Sequence, residues 1–325
     1  MNDEKHFTSF IVKYFRHHPE FGALVGLVIV FIGFSLTATR FLTIDSFSGI
    51  VTIASELGIV AAGVTFLMIA GEFDLSVGSV FGFSAMLFAV SAASGIPLLI
   101  SLILALLAAA GIGFLNGYIT VHFQIPSFIT TLGAQMLWRG VLLAITGGFS
   151  VRYREESTIL AVLNSNLWGE FRTSAIWFFA IILFLNFVLL RTQYGNATYA
   201  TGGNKEAARI LGISVNKVKI INFIICSVLA GLAGCIQFAR FGSVDPVRGQ
   251  GMELEAIAAV VVGGTLMTGG YGNLVGTLLG VLLIGMLRSG LIMAGAPAYW
   301  YQAFVGLILI IAVILNTNIK RWSLK

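Results

Sequence analysis

What most constrains this chain is the spacing of its apolar stretches. Runs near 22–39, 48–70, 76–93, 97–120, 127–146, 174–190, 220–239, 254–268, 273–294 and 299–316 follow one another with short breaks. A helix needs about 20 apolar residues to cross roughly 30 Å of hydrocarbon. Segments of alternating hydrophobicity, which would mark a transmembrane barrel, are absent, and helices then satisfy every backbone N–H and C=O in lipid. The expected fold is all-α, a polytopic bundle of about ten transmembrane helices. Composition agrees, with 58% of residues hydrophobic, 10% charged and a mean hydropathy of +0.96. A soluble domain is about a quarter charged, so this chain cannot clothe itself in a water-facing surface.

The first run is long enough to be a retained helix, unlike the short core of a cleaved signal. Lys and Arg in short loops mark the cytoplasmic side. Lys5, Lys13 and Arg16 precede the first helix, Lys320, Arg321 and Lys325 follow the last, and Lys205, Arg209 and Lys217 lie in the loop 191–219. Ten helices put all three segments on one face. The expected organisation is a basic cytoplasmic segment 1–21, a transmembrane domain 22–318 and a cytoplasmic tail 319–325. Loops 147–173 and 240–253 then lie outside. The net charge of +5 reflects topology and anionic lipid, with no reason to expect nucleic acid.

Between two apolar runs stands GEFDLSVGSVFG, Gly71 to Gly82. Gly71 suits the left-handed residue that ends a helix, and Asp74 suits the start of the next, accepting from the N–H of Ser76 or Val77. Glu72 lies in the break itself. A second stretch, Gly263 to Gly280, echoes Gly63 to Gly82, with Asn273 in the place of Asp74; Pro126 and Pro297 extend the echo. Two halves sharing a broken helix is a transporter plan. Ionisable groups at membrane depth can also mark a pathway, and Glu56, Glu72 and Asp74 would be the ion site of an ion-coupled secondary transporter. Glycines four apart, at Gly22/Gly26, Gly78/Gly82, Gly113/Gly117 and Gly276/Gly280, let helices approach closely.

The loop ATGGNKEAARILGISVNKVKI reads as a short helix with an Asn cap and Gly212 to stop it, leaving Ile210 and Leu211 exposed unless a partner covers them. The other reading is a loop helix lying on lipid headgroups. No G-x-x-x-x-G-K-[ST] cradle is present, so ATP is not bound by that route. Nor is there an H-E-x-x-H motif, a Cys cluster or paired carboxylates: no catalytic residues and no metal site are expected. His6, His17 and His18 read as solvated, His122 as interfacial, and Cys226 and Cys235 as packing residues. Asn116, Gln135, Trp138, Gln237 and Trp300 are candidates to line a path for an uncharged, polyhydroxylated solute. Arg139 lies inside a span and needs a partner or an escape to the interface.

GEFDLSVGS, TGGNKEAARILGI, LAGLAGCIQFAR and ELEAIAAVVVGGT together resemble the ribose-type branch of monosaccharide ABC permeases, from about Phe41 to Asn316. The Ile and Leu-Pro that complete the EAA loop of maltose-type permeases are missing. The resemblance implies a multi-pass subunit of the bacterial inner membrane that is a permease and not an enzyme. It would pair with a second copy or a paralogue and join a cytoplasmic ATPase that binds ATP and Mg. A periplasmic or lipid-anchored sugar-binding protein would deliver the solute, with a nucleoside or a sugar-like signalling molecule as alternative cargo. Gly202, Gly203, Asn204, Glu206, Ala207, Ala208, Arg209 and Gly212 would form the ATPase-coupling segment. Arg240, Asp245, Arg248 and Glu253 would face the binding protein, and Asp74 would sit in the core of the first half.

Overall fold

The computed structural model describes residues 20–297 and 299–323, with side chains over 21–297 and 299–314. The expectations placed on His6, His17, His18, Lys5, Lys13, Arg16 and Lys325 lie outside the described residues, as do the side chains of Lys320 and Arg321.

Apolar helices form at all ten expected runs. They are α1 (Glu20–Thr37), α2 (Ile44–Ile69), α3 (Val77–Ala93), α4 (Leu98–His122), α5 (Ser127–Thr146), α7 (Thr173–Arg191), α10 (Val215–Phe241), α11 (Met252–Val262), α12 (Leu274–Met293) and α13 (Tyr299–Ser323). Three short helices lie between them: α6 (Thr158–Leu163), α8 (Gln193–Gly203) and α9 (Lys205–Ile210). Six of the helices are long and apolar enough to cross a bilayer unaided.

Helix α2 is the central post, buried almost throughout from Ala54 to Ala70. Two of its neighbours, α12 and α10, run antiparallel to it, while α7 runs parallel, Ser48 meeting Glu170 and Gly58 meeting Phe178. Against α12, Thr65 meets Thr277 at 2.7 Å and Ser46 meets Met293 at 3.4 Å. Against α10, Phe66 accepts from Asn222 and Glu56 meets Arg240. Small residues permit these approaches. A Cβ on Gly63 would lie 2.7 Å from the Cα of Cys226, and one on Gly113 would lie 2.5 Å from the carbonyl oxygen of Phe223. Phe66, Phe81, Phe88, Phe223 and Phe238 fill the centre, with Phe88 edge-on to Phe238 at 5.1 Å. Outer helices instead expose Ile29, Leu107, Leu183 and Phe184. Such faces suit lipid and would be a liability in water.

The run at 254–268 is corrected by the structure. Helix α11 stops at Val262 after 11 residues, about 16 Å, roughly half the hydrocarbon thickness. Leu266 and Met267 lie past it, but Gly264 at φ +90° turns the chain out of the helix. The other half of that crossing is taken by residues 242–251, which fold into the bundle from the end of α10. A Cβ on Gly82 of α3 would stand 2.6 Å from the carbonyl oxygen of Arg248.

On the same side, strand β1 (Val151–Arg152) pairs antiparallel with β4 (Ser243–Val244), joining the loops 147–173 and 240–253. Strands β2 (Asn166–Trp168) and β3 (Phe171–Arg172) form a separate small ribbon. Tyr153 N–H donates to Gly242, and Asn164 Nδ2 to the carbonyl of Ile236, fixing this loop on the end of α10. Cys226 and Cys235 are buried free thiols, and His122 stacks on Tyr118 at 5.0 Å.

Candidate functional site

The first break is a closed motif. Gly71 takes φ +80°, its N–H donates to Met68 and the N–H of Glu72 to Leu67, the two bonds of a Schellman C-cap. Asp74 Oδ1 then accepts from the N–H of Ser76 at 2.7 Å and from its hydroxyl at 2.6 Å, and Ser76 Oγ accepts from Asn116 Nδ2. Glu72 forms an ion pair with Lys219 at the start of α10. The second break runs from Gly263 to Asn273, whose Oδ1 caps α12 by accepting from Gly276 N–H at 2.6 Å. Asn273 therefore caps α12, whereas Asp74 closes the turn before α3, whose N-cap position is Ser76.

The two breaks meet. Gly270 N–H donates to the carbonyl of Ile69 at 2.8 Å, and a Cβ on Gly269 would lie 2.8 Å from the Cα of Gly71. Helix α8 wedges against both. A Cβ on Gly202 would stand 1.8 Å from the oxygen of Ile69 and 2.7 Å from the nitrogen of Gly270, so only glycine fits. Tyr199 hydroxyl donates to the carbonyl of Gly272 at 2.6 Å, and Tyr194 hydroxyl to Asn222 Oδ1. Burial, with Tyr271 beside it, pushes the Tyr199 hydroxyl up to about 12, which keeps it a donor at ordinary pH.

Helix α9 projects from this joint. Asn204 Oδ1 accepts from the N–H groups of Glu206 and Ala207, and Gly212 at φ +82° ends the helix with a second Schellman motif, its N–H to Arg209 and that of Ile213 to Ala208. Ala208 is buried against the bundle. Ile210 is 87% exposed and Leu211 78%. Arg209 and Glu206 pair at 3.0 Å on the exposed side.

The other predicted site residues are scattered. On the face opposite α9, Arg240 bonds Glu56 at 3.1 Å and Gln237 bonds it at 2.6 Å. Asp245 is half-buried and accepts from Val247 N–H and Ser150 hydroxyl, while Arg248 stacks on Phe241. Glu253, expected on a docking face, is instead buried, accepting from Gln135 Nε2 at 2.8 Å, because α11 begins inside the bundle. Asn116, Gln135 and Gln237 thus commit their amide N–H groups to internal bonds, Trp138 packs on Phe83, and Trp300 lies half-exposed beside Phe304. Arg139 donates to the carbonyls of Pro246, Arg248 and Gly78. Among the described residues, no cluster of three His, Cys, Asp or Glu side chains is placed to hold a metal ion.

Sequence reasoning missed Lys219, Tyr199, the Glu255–Arg288 pair at 3.7 Å and the whole of α8. The signal for the joint was present in two glycine pairs, Gly202–Gly203 in the expected coupling segment and Gly269–Gly270 just before the expected cap Asn273.

Residues 46–313 match the family described as branched-chain amino acid transport system / permease component. The chain is 36% identical over 310 residues to the probable ABC transporter permease protein YphD of Escherichia coli strain K12, covering 95% of this chain and 93% of that protein. To the ribose import permease protein RbsC of the same strain it is 35% identical over 307 residues, covering 92% and 94%. To the autoinducer 2 import system permease protein LsrC of Photorhabdus laumondii it is 30% identical over 310 residues, covering 95% and 92%. No solved structure matches the chain.

Proposed function

This chain belongs to the branched-chain amino acid transport system / permease component family, and on that premise we propose that it is the membrane-spanning subunit of an ATP-driven monosaccharide importer. The observation that carries the reading is the joint: an exposed apolar tip, Ile210–Leu211, stands on a helix whose root at Gly202 touches both breaks backbone to backbone. The tip would seat in a cleft of a separate ATPase, which binds the ATP and Mg. Contacts between backbones have little side-chain slack, so a displacement of α9 passes to α2 and to the loop before α12 together. Rigid tilting of the two halves would then alternate access to the path.

The face carrying Arg191, Lys205, Arg209 and Lys217 is cytoplasmic on this reading, and both termini with it. The permease works in the inner membrane as a pair, with the exposed apolar helices facing lipid or the second copy. Arg240, Asp245 and Arg248, partly exposed on the outer face, receive the binding protein, and Glu253 does not. The cargo is a ribose-like sugar, as the ribose import relative suggests; the autoinducer 2 relative makes a sugar-like signalling molecule the second candidate. Against an ion-coupled carrier, Glu56 and Glu72 are already paired with Arg240 and Lys219.

The test is uptake of labelled ribose into proteoliposomes holding the chain with a candidate ABC ATPase and a ribose-binding protein from the same organism. Uptake that requires ATP and both partners supports the reading. Uptake by the chain alone, driven by an ion gradient, would overturn it.

A further inference from the structure

Helix α5 carries polar side chains at one spacing: Ser127, Thr131, Gln135 and Arg139, each four residues after the last. Residues four apart share a helix face, and this row covers about 18 Å at 1.5 Å per residue. Every member holds another part of the chain. Phe73 N–H donates to Ser127 Oγ at 3.1 Å, and Leu75 N–H to Thr131 Oγ1 at 3.0 Å. Gln135 accepts from Ser79 hydroxyl at its carbonyl, 2.8 Å, and donates through Nε2 to Glu253. Arg139 donates to Pro246 at 2.7 Å, to Arg248 at 2.9 Å and to Gly78 at 3.3 Å.

The lower end of the row therefore grips the first break at amides that no helix ladder satisfies. The upper end grips the inserted segment 246–253. Beyond the row, Trp138 packs on Phe83 and Leu142 is buried, while Leu132, Met136 and Leu137 are exposed and a Cβ on Gly133 or Gly140 would meet nothing within 4 Å. A helix whose polar row holds the bundle at the two places where the backbone is irregular is built to move as one piece with both. We infer that α5 is a transmission rod, in which Ser127, Thr131, Gln135 and Arg139 are positioning residues that tie the first break to the segment 246–253, so that neither rearranges without the other. Gln135 is thereby assigned to this row and not to the solute path.

The consequence for transport rests on the importer reading, but the coupling itself does not. Hydrogen exchange on the full chain in lipid nanodiscs, without any ATPase, reads it directly. Thr131→Val cuts the lower end and Arg139→Met the upper. The rod predicts that Thr131→Val speeds exchange in peptides covering 246–252 as well as 73–76, and that Arg139→Met speeds exchange at 73–76. Each effect should be about tenfold, the size of one lost buried hydrogen bond, with peptides of α12 unchanged. Acceleration confined to the cut end, or spread evenly over the bundle, would overturn it. Where Arg139→Met fails to accumulate, Gln135→Leu makes the upper cut. In the assembled importer, Thr131→Val and Arg139→Met together should slow uptake no more than the worse single variant, because a rod cut once is already cut. Losses that multiply would contradict the rod even if uptake is ATP-driven. Uptake without an ATPase would contradict the importer and leave the exchange result standing.

Discussion

The two breaks, Gly71–Ser76 and Gly263–Asn273, do the same job with different chemistry. Each ends one helix with a glycine turn and holds the approach to the next with a side-chain oxygen, Asp74 on the turn before α3 and Asn273 on the first turn of α12. The first is braced by side chains from three helices: Lys219 of α10, Asn116 of α4, and Ser127 and Thr131 of α5. The second is braced by close backbone contact and by the Tyr199 hydroxyl on the carbonyl of Gly272. A Cβ on Gly276 would stand 1.9 Å from the oxygen of Gly263, and one on Gly280 2.0 Å from that of Ala259. A neutral Asn does for α12 what Asp74 does before α3, so capping needs no charge. In the structure, Glu72 pins α10 and Asp74 organises a turn.

The largest effect is expected where the breaks meet. Gly202→Ala forces a methyl to within 1.8 Å of Ile69 oxygen, whereas Gly203→Ala meets Gly270 Cα at an ordinary 3.8 Å. Overpacking of this kind costs about 1–3 kcal/mol, so ATP-driven uptake should fall by roughly one to two orders of magnitude in the first variant and stay near wild type in the second. Equal losses would show that the contact at Gly202 is incidental. Next comes Lys219→Met, which strands Glu72 nearly buried and should cost on the order of 3 kcal/mol. It would be read as a lowered denaturation midpoint that Glu72→Gln in the same chain largely restores. Asn273→Ala should cost about 1 kcal/mol, the worth of one cap. The smallest change is Asp74→Asn. It keeps the oxygen that Ser76 needs and removes a charge whose second oxygen is buried with no hydrogen-bond partner, so the midpoint should hold or rise and uptake should persist. Loss of uptake by a well-folded Asp74→Asn chain would make that charge part of transport and end the comparison.

The helices were legible because an apolar run of crossing length admits few other structures in lipid, and both glycine C-caps and the Asn204 cap were readable from local chemistry. What escaped depends on distant parts of the chain. Lys219 reaches Glu72 across 147 positions. Helix α8, QYGNATYATGG, has no apolar period and forms because Tyr194, Tyr199 and Gly202 fit the joint. Helix α11 ends early although Leu266 and Met267 lie beyond it, since a glycine turn and the inserted segment decide its length. Asn116, Gln135 and Gln237 have the composition of a sugar path, but composition cannot say which polar groups other side chains will claim.

In the proposed importer, α9 presents its exposed apolar tip to an ATPase. The most direct test is co-purification of the tagged chain with a candidate ABC ATPase from the same organism, comparing wild type with the double variant Ile210→Asp, Leu211→Asp. Both residues are exposed, so the variant should insert and remain monodisperse. The account predicts that wild type brings the ATPase with it and that the variant comes alone. A variant that still holds the ATPase in full measure would contradict the assignment of α9 as the coupling helix.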